Sequence, residues 1–200
     1  MSEDQIIKGL DAFFKSHGID VSAESFIALS KKLERKTVEK GKTFCKNGKA
    51  CNEIGILLRG IMCSYFESPN NSRQISRFFF LQNHHLLVSS FESFKNQTPS
   101  NETIEAVEES ELLCISFENL QKLYHDYPDL NKLGRHLAEE NYIRALQRIH
   151  NLQTMDSKEL LIIFRKEKKF LFGRVDLKDI ASYLGMTAKT LRELLNKKKI

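Results

Sequence analysis

Eight residues near the end of the chain, Thr187, Ala188, Lys189, Thr190, Arg192, Glu193, Asn196 and Lys197, have the types and spacing to read DNA. Arg and Lys donate to guanine edges, Asn pairs with adenine, and Glu accepts from a cytosine amine. At a helical period, Ala188, Lys189, Arg192, Glu193 and Asn196 fall on an outward face, opposite Leu191, Leu194 and Leu195. Thr187 is placed to cap that helix, with the first-turn amides near a phosphate.

A reading helix needs a second helix to hold it. In "LKDIASYL", Leu177, Ile180, Ala181 and Leu184 share one face, and the small Ala181 lets two helices cross closely. Gly185 stands where the chain must turn. The pattern predicts a helix-turn-helix whose second helix enters the major groove. Charge agrees with this. Residues 158–200 hold twelve Lys/Arg against five Asp/Glu, whereas the first 157 residues hold nineteen against twenty-one. Lys168, Lys169 and Arg174 flank or belong to "KFLFGRV", which reads as a short strand or ribbon. Together with Lys197, Lys198 and Lys199 they are candidates to neutralise phosphates.

Before that segment, "SKELLIIFRKE" reads as an amphipathic helix capped by Asp156 or Ser157, and "DLNKLGRHLAEENYIRALQRIHNLQTM" as one long helix. Ala138, Tyr142, Ala145, Ile149 and Leu152 recur at alternating steps of four and three, which is a seam for a partner helix. Leu130, Leu133 and Leu137 form a second apolar stripe, suited to packing on the chain's own body.

The remainder is mostly β. "KTFC", "EIGILLRG", "IMCSYFE", "QISRFFFL", "ETIEAVEE" and "ELLCISF" read as strands separated by "KNGK", "RG" and "SPNNS", a spacing that predicts a sandwich, roll or barrel. "SFESFKNQTPSN" reads as a loop with a short helix, and "FENLQKLYHDYP" as a helix ending at Pro128. Two helices precede the strands. Ile6, Ile7, Leu10, Phe13 and Phe14 share a face before Gly18, and "AESFIALSKKLERK" follows a Ser22 cap.

Composition narrows the classes. No apolar run reaches bilayer length and the start lacks a signal-peptide pattern, so the expectation is a cytoplasmic protein. Cys45, Cys51, Cys63 and Cys114 form no disulfide framework, which fits a reducing compartment, and read as buried structural thiols. His84 and His85 read as polar connection, and no metal or cofactor is expected. No Ser/His/Asp grouping, carboxylate pair or phosphate-binding glycine loop points to an enzyme.

The order of helix, β-roll, long helix and helix-turn-helix resembles the bacterial Crp/Fnr transcription regulators along nearly the whole chain. The residues that carry the resemblance are "VEKGKTFCKNGKACNEIGILLRG", "IEAVEESELLCIS" and "RVDLKDIASYLGMTAKTL". It implies an α+β chain: a jelly-roll-like double-stranded β-helix with flanking helices at residues 1–127, a dimerisation helix at 128–156, and a winged helix-turn-helix at 157–200. It further implies a homodimer on a two-fold symmetric double-stranded DNA site, with RNA polymerase as a further partner and no membrane association. The family's cyclic-nucleotide pocket uses a Gly-Glu pair and, about ten residues later, an Arg that pairs with phosphate. Here Ser89, Ser90, Ser100 and Asn101 occupy the pocket positions, and Ser100 follows Pro99 where Arg is needed. Glu92 is two positions off, and Glu102 would repel phosphate. The roll is therefore expected not to bind cyclic AMP or cyclic GMP, and the effector is unknown. Lys189 and Glu193 stand where the family commonly has Glu and Arg, so the target sequence should differ; alternatively the two residues simply pair with each other. The leading expectation is a sequence-specific, homodimeric transcription regulator. The alternative is a small-molecule or redox sensor of the same fold that has lost operator binding and acts through protein partners.

Overall fold

The computed structural model describes residues 14–15, 20–67, 72–80 and 86–196. Of the expected first helix, Phe14 is helical and buried, meeting Phe26 edge-on at 6.2 Å. Ile6, Ile7, Leu10, Phe13 and Gly18 lie outside the described residues, as do residues 68–71, His84, His85 and Lys197, Lys198 and Lys199.

Helix α1 spans Ala23–Ser30, with the Ser25 amide donating to the Ser22 hydroxyl at 3.1 Å. The expected continuation of this helix to Lys36 is corrected: Glu34–Val38 is strand β1, paired antiparallel with β8 (Ser110–Ser116) from Glu34 against Cys114 to Val38 against Ser110. Glu, Arg and Lys favour a helix locally, but a five-residue ladder outweighs propensity. β1 lies at a sheet edge with only Val38 buried, and its exposed charges suit an edge that must not recruit another strand.

The other strands fall close to expectation: β2 (Thr43–Cys45), β3 (Glu53–Arg59), β4 (Met62–Glu67), β5 (Arg73–Phe79) and β7 (Thr103–Ala106). The two-residue β6 (Leu87–Val88) was too short to leave a pattern. Two four-stranded antiparallel sheets form, ordered β1-β8-β3-β6 and β2-β7-β4-β5. Gly60, at φ +102, turns β3 into β4. A Cβ there would strike the Ser110 hydroxyl and lie 2.7 Å from the Glu109 carbonyl oxygen.

Alternation along the strands serves three cores. Leu57, Met62, Phe79, Val88, Ile104 and Leu112 meet between the sheets. On the outer face of the first sheet, Leu113 and Ile115 pack on helix α3 (Phe117–Asp126) and on Leu130 and Leu133 of α4 (Pro128–Thr154). On the outer face of the second sheet, Ile61, Cys63, Ile75, Phe78 and Phe80 pack on the C-terminal helices. Both faces of each sheet are covered, so several strands are buried continuously rather than alternately.

After the short α2 (Phe91–Asn96), α3 and the 27-residue α4 come three further helices. α5 (Ser157–Lys168) opens on a capping box in which the Asp156 carboxylate accepts from the amides of Lys158 and Glu159, and Glu159 accepts from the Asp156 amide. α6 (Leu177–Tyr183) and α7 (Ala188–Asn196) form the helix pair. The expected ribbon at "KFLFGRV" is instead a 3-10 turn, Lys169–Leu171, followed by the single bridge Phe172–Val175. The amides of Arg174 and Val175 both donate back to the Leu171 carbonyl, and Gly173 takes φ +82, which winds the segment inward and buries Leu171 and Val175. No described helix is long and apolar enough to cross a membrane.

Candidate nucleic-acid interface

The two-helix unit is built from its apolar residues outward. Ile180, Ala181, Leu184 and Leu191 are buried, and Leu177, Leu194 and Leu195 pack at the margin. Gly185 takes φ +68, which an L side chain rarely adopts, so glycine meets the turn without strain. The Thr190 amide donates to the Thr187 hydroxyl at 3.0 Å, fixing the start of α7 as the sequence predicted.

Beyond that cap, Lys189, Arg192, Glu193 and Asn196 are exposed on the outer face of α7, and Thr187 is exposed at its start. Thr190 is half-buried and its hydroxyl meets that of Thr187 at 2.9 Å. Ala188 is half-buried against the helix-pair core rather than fully outward. Lys189 and Glu193 form no ion pair among the described residues. Their charges remain available to a partner.

The outlying phosphate candidates fare differently. Lys169 is exposed. Lys168 is 8% exposed with its ammonium on Glu167 at 2.9 Å, so its assignment to phosphate is corrected: the last turn of α5 points it inward. Arg174 is exposed yet engaged by Glu108 of the roll through both Nε, at 3.2 Å, and Nη2.

That ion pair belongs to a clamp the sequence did not reveal. The Ser182 hydroxyl donates to the Arg73 carbonyl at 3.1 Å and accepts the Ile75 amide at 2.9 Å, so α6 covers the free edge of β5. Phe78 lies 5.2 Å from the Tyr183 ring. From the other side, Arg148 of α4 stacks over Tyr183 at 3.8 Å and donates to its carbonyl at 2.6 Å. The helix pair is thus held between the roll and the long helix, with α7 facing away.

On α4, Leu130 and Leu133 are buried and Leu137 half-buried against the chain's own body. Ala138, Tyr142, Ala145, Ile149 and Leu152 are all exposed, as are Ile143 and Leu146. Tyr142 is 64% and Ile149 51% exposed. Such a band of apolar side chains on one helix is unusual for a surface meant for water alone.

In the roll, Ser89, Ser90 and Ser100 are buried whereas Asn101 is exposed, its amide reaching Glu92 at 3.3 Å. The Ser100 hydroxyl donates to the Glu102 carbonyl at 2.7 Å and meets the Ser90 hydroxyl at 2.9 Å. The buried Glu102 carboxylate pairs with Arg77 at 2.8 Å, and Arg77 lies near the rings of Phe79 and Phe91. Arg77 went unnoticed because nothing in "QISRFFFL" ties it to a glutamate twenty-five residues away.

Residues 35–127 match the family model of the cyclic nucleotide-binding domain. No curated protein matches the chain in sequence. Among solved structures, the chain is similar to FixK2 from Bradyrhizobium japonicum (TM-score 0.70, 14% identity, 82% of this chain and 83% of that one). It is also similar to a transcriptional regulator assigned to the Crp/Fnr family from Eubacterium rectale (0.67, 17%, 88% and 82%). A third is the c-di-GMP responsive global regulator CLP of Xanthomonas campestris (0.66, 14%, 89% and 92%). At these identities the likeness is one of fold.

Proposed function

We propose that this chain, a Crp/Fnr-type fold with a cyclic nucleotide-binding domain at residues 35–127, works as a homodimeric, sequence-specific, DNA-binding transcription regulator. The observation that carries the reading is the bare apolar stripe of α4, Ala138 to Leu152, on a helix whose other stripe, Leu130, Leu133 and Leu137, packs on the chain's own body. A second copy running along that stripe covers it and sets two α7 helices about a two-fold axis. Half-sites on DNA then lie about one turn apart, roughly 34 Å.

In this reading Arg192 donates to a guanine, Glu193 accepts from a cytosine amine, and Asn196 and Lys189 read or steady the neighbouring positions. Thr187, with the first amides of α7, holds a phosphate, and Lys169 adds a screened contact. The clamp of Ser182, Arg148 and the Arg174–Glu108 pair fixes the pose of α7. Regulation follows from any change that shifts this pose, since only one spacing fits both half-sites.

The roll does not respond to cyclic AMP. Glu102 already occupies Arg77, and a nucleotide phosphate would have to displace a buried carboxylate from it. Selection from randomised duplex DNA tests the whole reading. Enrichment of a palindrome whose binding weakens with salt supports it. No enriched palindrome at any salt concentration overturns it and leaves a sensor that acts through protein partners.

A further inference from the structure

Beside the expected pocket positions the roll buries a carboxylate. The Glu102 side chain is 7% exposed, and a carboxylate so far from water needs a cation. Arg77 of β5 supplies it. One guanidinium nitrogen donates to the carboxylate at 2.8 Å and to the Ser89 carbonyl at 3.4 Å. The guanidinium carbon stands 5.2 Å from the Phe79 ring and 5.6 Å from the Phe91 ring. Glu102 is also held through its backbone. The Ser100 hydroxyl accepts the Glu102 amide at 3.1 Å and donates to its carbonyl, while Ser100 itself makes backbone hydrogen bonds with Gly48 and Lys49. The carboxylate is thus presented from a fixed position.

Such a pair does little for stability alone, since desolvating two ions offsets most of their attraction and an apolar pair of equal volume would pack as well. Its placement gives it another use. It reaches across β4, which separates β5 from β7, and so ties together two elements that share no ladder. Both ends lead onward. Two residues before Arg77 the Ile75 amide donates to the Ser182 hydroxyl of α6, and one residue after it Phe78 packs on Tyr183. Phe91 opens α2, whose Phe94 meets Phe117 of α3 edge-on at 5.3 Å.

We propose that Arg77 is a carboxylate-binding site permanently filled by the chain's own Glu102, so that the roll holds the helix pair in its DNA-reading pose without a diffusible effector. An arginine fork is well matched to a carboxylate. Beyond its Cβ, Glu102 has the size and charge of acetate. Tethered by the backbone, it meets Arg77 at an effective concentration that a dilute free anion does not reach. Closure of the site fixes β5 against the segment before β7, and the edge of β5 in turn seats Ser182. The link to α7 rests on the function proposed above, whereas the site itself is read without DNA.

The test empties the site and refills it with acetate. Thermal unfolding of the full chain is followed in sodium acetate and in sodium chloride of equal ionic strength, for wild type, Glu102→Ala, and the double variant Arg77→Met with Glu102→Ala. In chloride, the midpoint of Glu102→Ala should fall by about 6 °C or more. Acetate should recover much of that loss, beyond any general salt effect seen in wild type and in the double variant. Where Glu102→Ala does not fold in chloride, refolding yield in the two salts replaces the midpoint, with the same expected order. Amide hydrogen exchange across residues 177–184 should quicken in Glu102→Ala and slow again with acetate. Equal acetate shifts in all three proteins, or none in Glu102→Ala, overturn the proposal. So does faster exchange confined to the roll, because the site would then not reach the helix pair. Neither measurement uses DNA, so their outcome is separate from that of the duplex selection.

Discussion

Replacing Ile149 with Asp puts the proposed dimer seam under direct strain. The side chain is 51% exposed in the single chain, so the substitution removes little core packing, and monomer stability should change by no more than about 0.5 kcal/mol. A partner helix would cover the exposed half. Full burial of an isoleucine contributes about 1.5–3 kcal/mol, so half contributes about 0.75–1.5 kcal/mol per chain. Two-fold symmetry doubles the loss to about 1.5–3 kcal/mol. At about 1.4 kcal/mol per decade, the dimer dissociation constant should rise about 10–140-fold, before any cost of desolvating two carboxylates. Sedimentation velocity across a concentration series measures it directly. Ile162→Asp, on the 47% exposed outer face of α5, is the matched control and should leave association unchanged. A monomeric wild type, an unchanged constant for I149D, or an equal rise for I162D would refute the reasoning.

Other expectations address the remaining parts. Arg192→Ala should weaken binding to a selected duplex by about 1–3 kcal/mol and relax preference at one base pair, read by competition titration. Gly60→Ala forces a side chain to φ +102 against the Glu109 carbonyl and should cost about 1–3 kcal/mol or more in urea unfolding. Asp129, although burial acts against it, is held below the ordinary carboxylate range by the Ser25 hydroxyl and the Ser22 and Leu130 amides. A depressed folded pKa stabilises above the unfolded value of about 3.9 and is lost as pH falls through the folded one. The stability gap between wild type and Asp129→Asn should therefore be full at pH 7 and close below about pH 4. Calorimetry should detect no micromolar cyclic AMP binding, and a clear isotherm would contradict the assignment of Arg77 to Glu102.

The helix pair was legible because its signals are local. Gly185 at positive φ, the Thr187 cap and the leucines of α7 act within a few residues of one another, and each stands where the pattern placed it. The two stripes of α4 were equally legible from a repeating step. The pocket positions were only partly so. Counting from Pro99 located the buried serines, but the Arg77–Glu102 pair depends on β5 approaching the segment before β7.

Local chemistry therefore settled the turns, the caps, the apolar stripes and the face that α7 turns outward. Tertiary packing alone made "ERKTV" a strand, drew Lys168 inward, tied Arg174 to Glu108 and seated Ser182 on the edge of β5. The division has a physical cause: a cap or a turn is satisfied by its immediate neighbours, whereas a strand edge or a buried charge is satisfied by groups the chain supplies from far away.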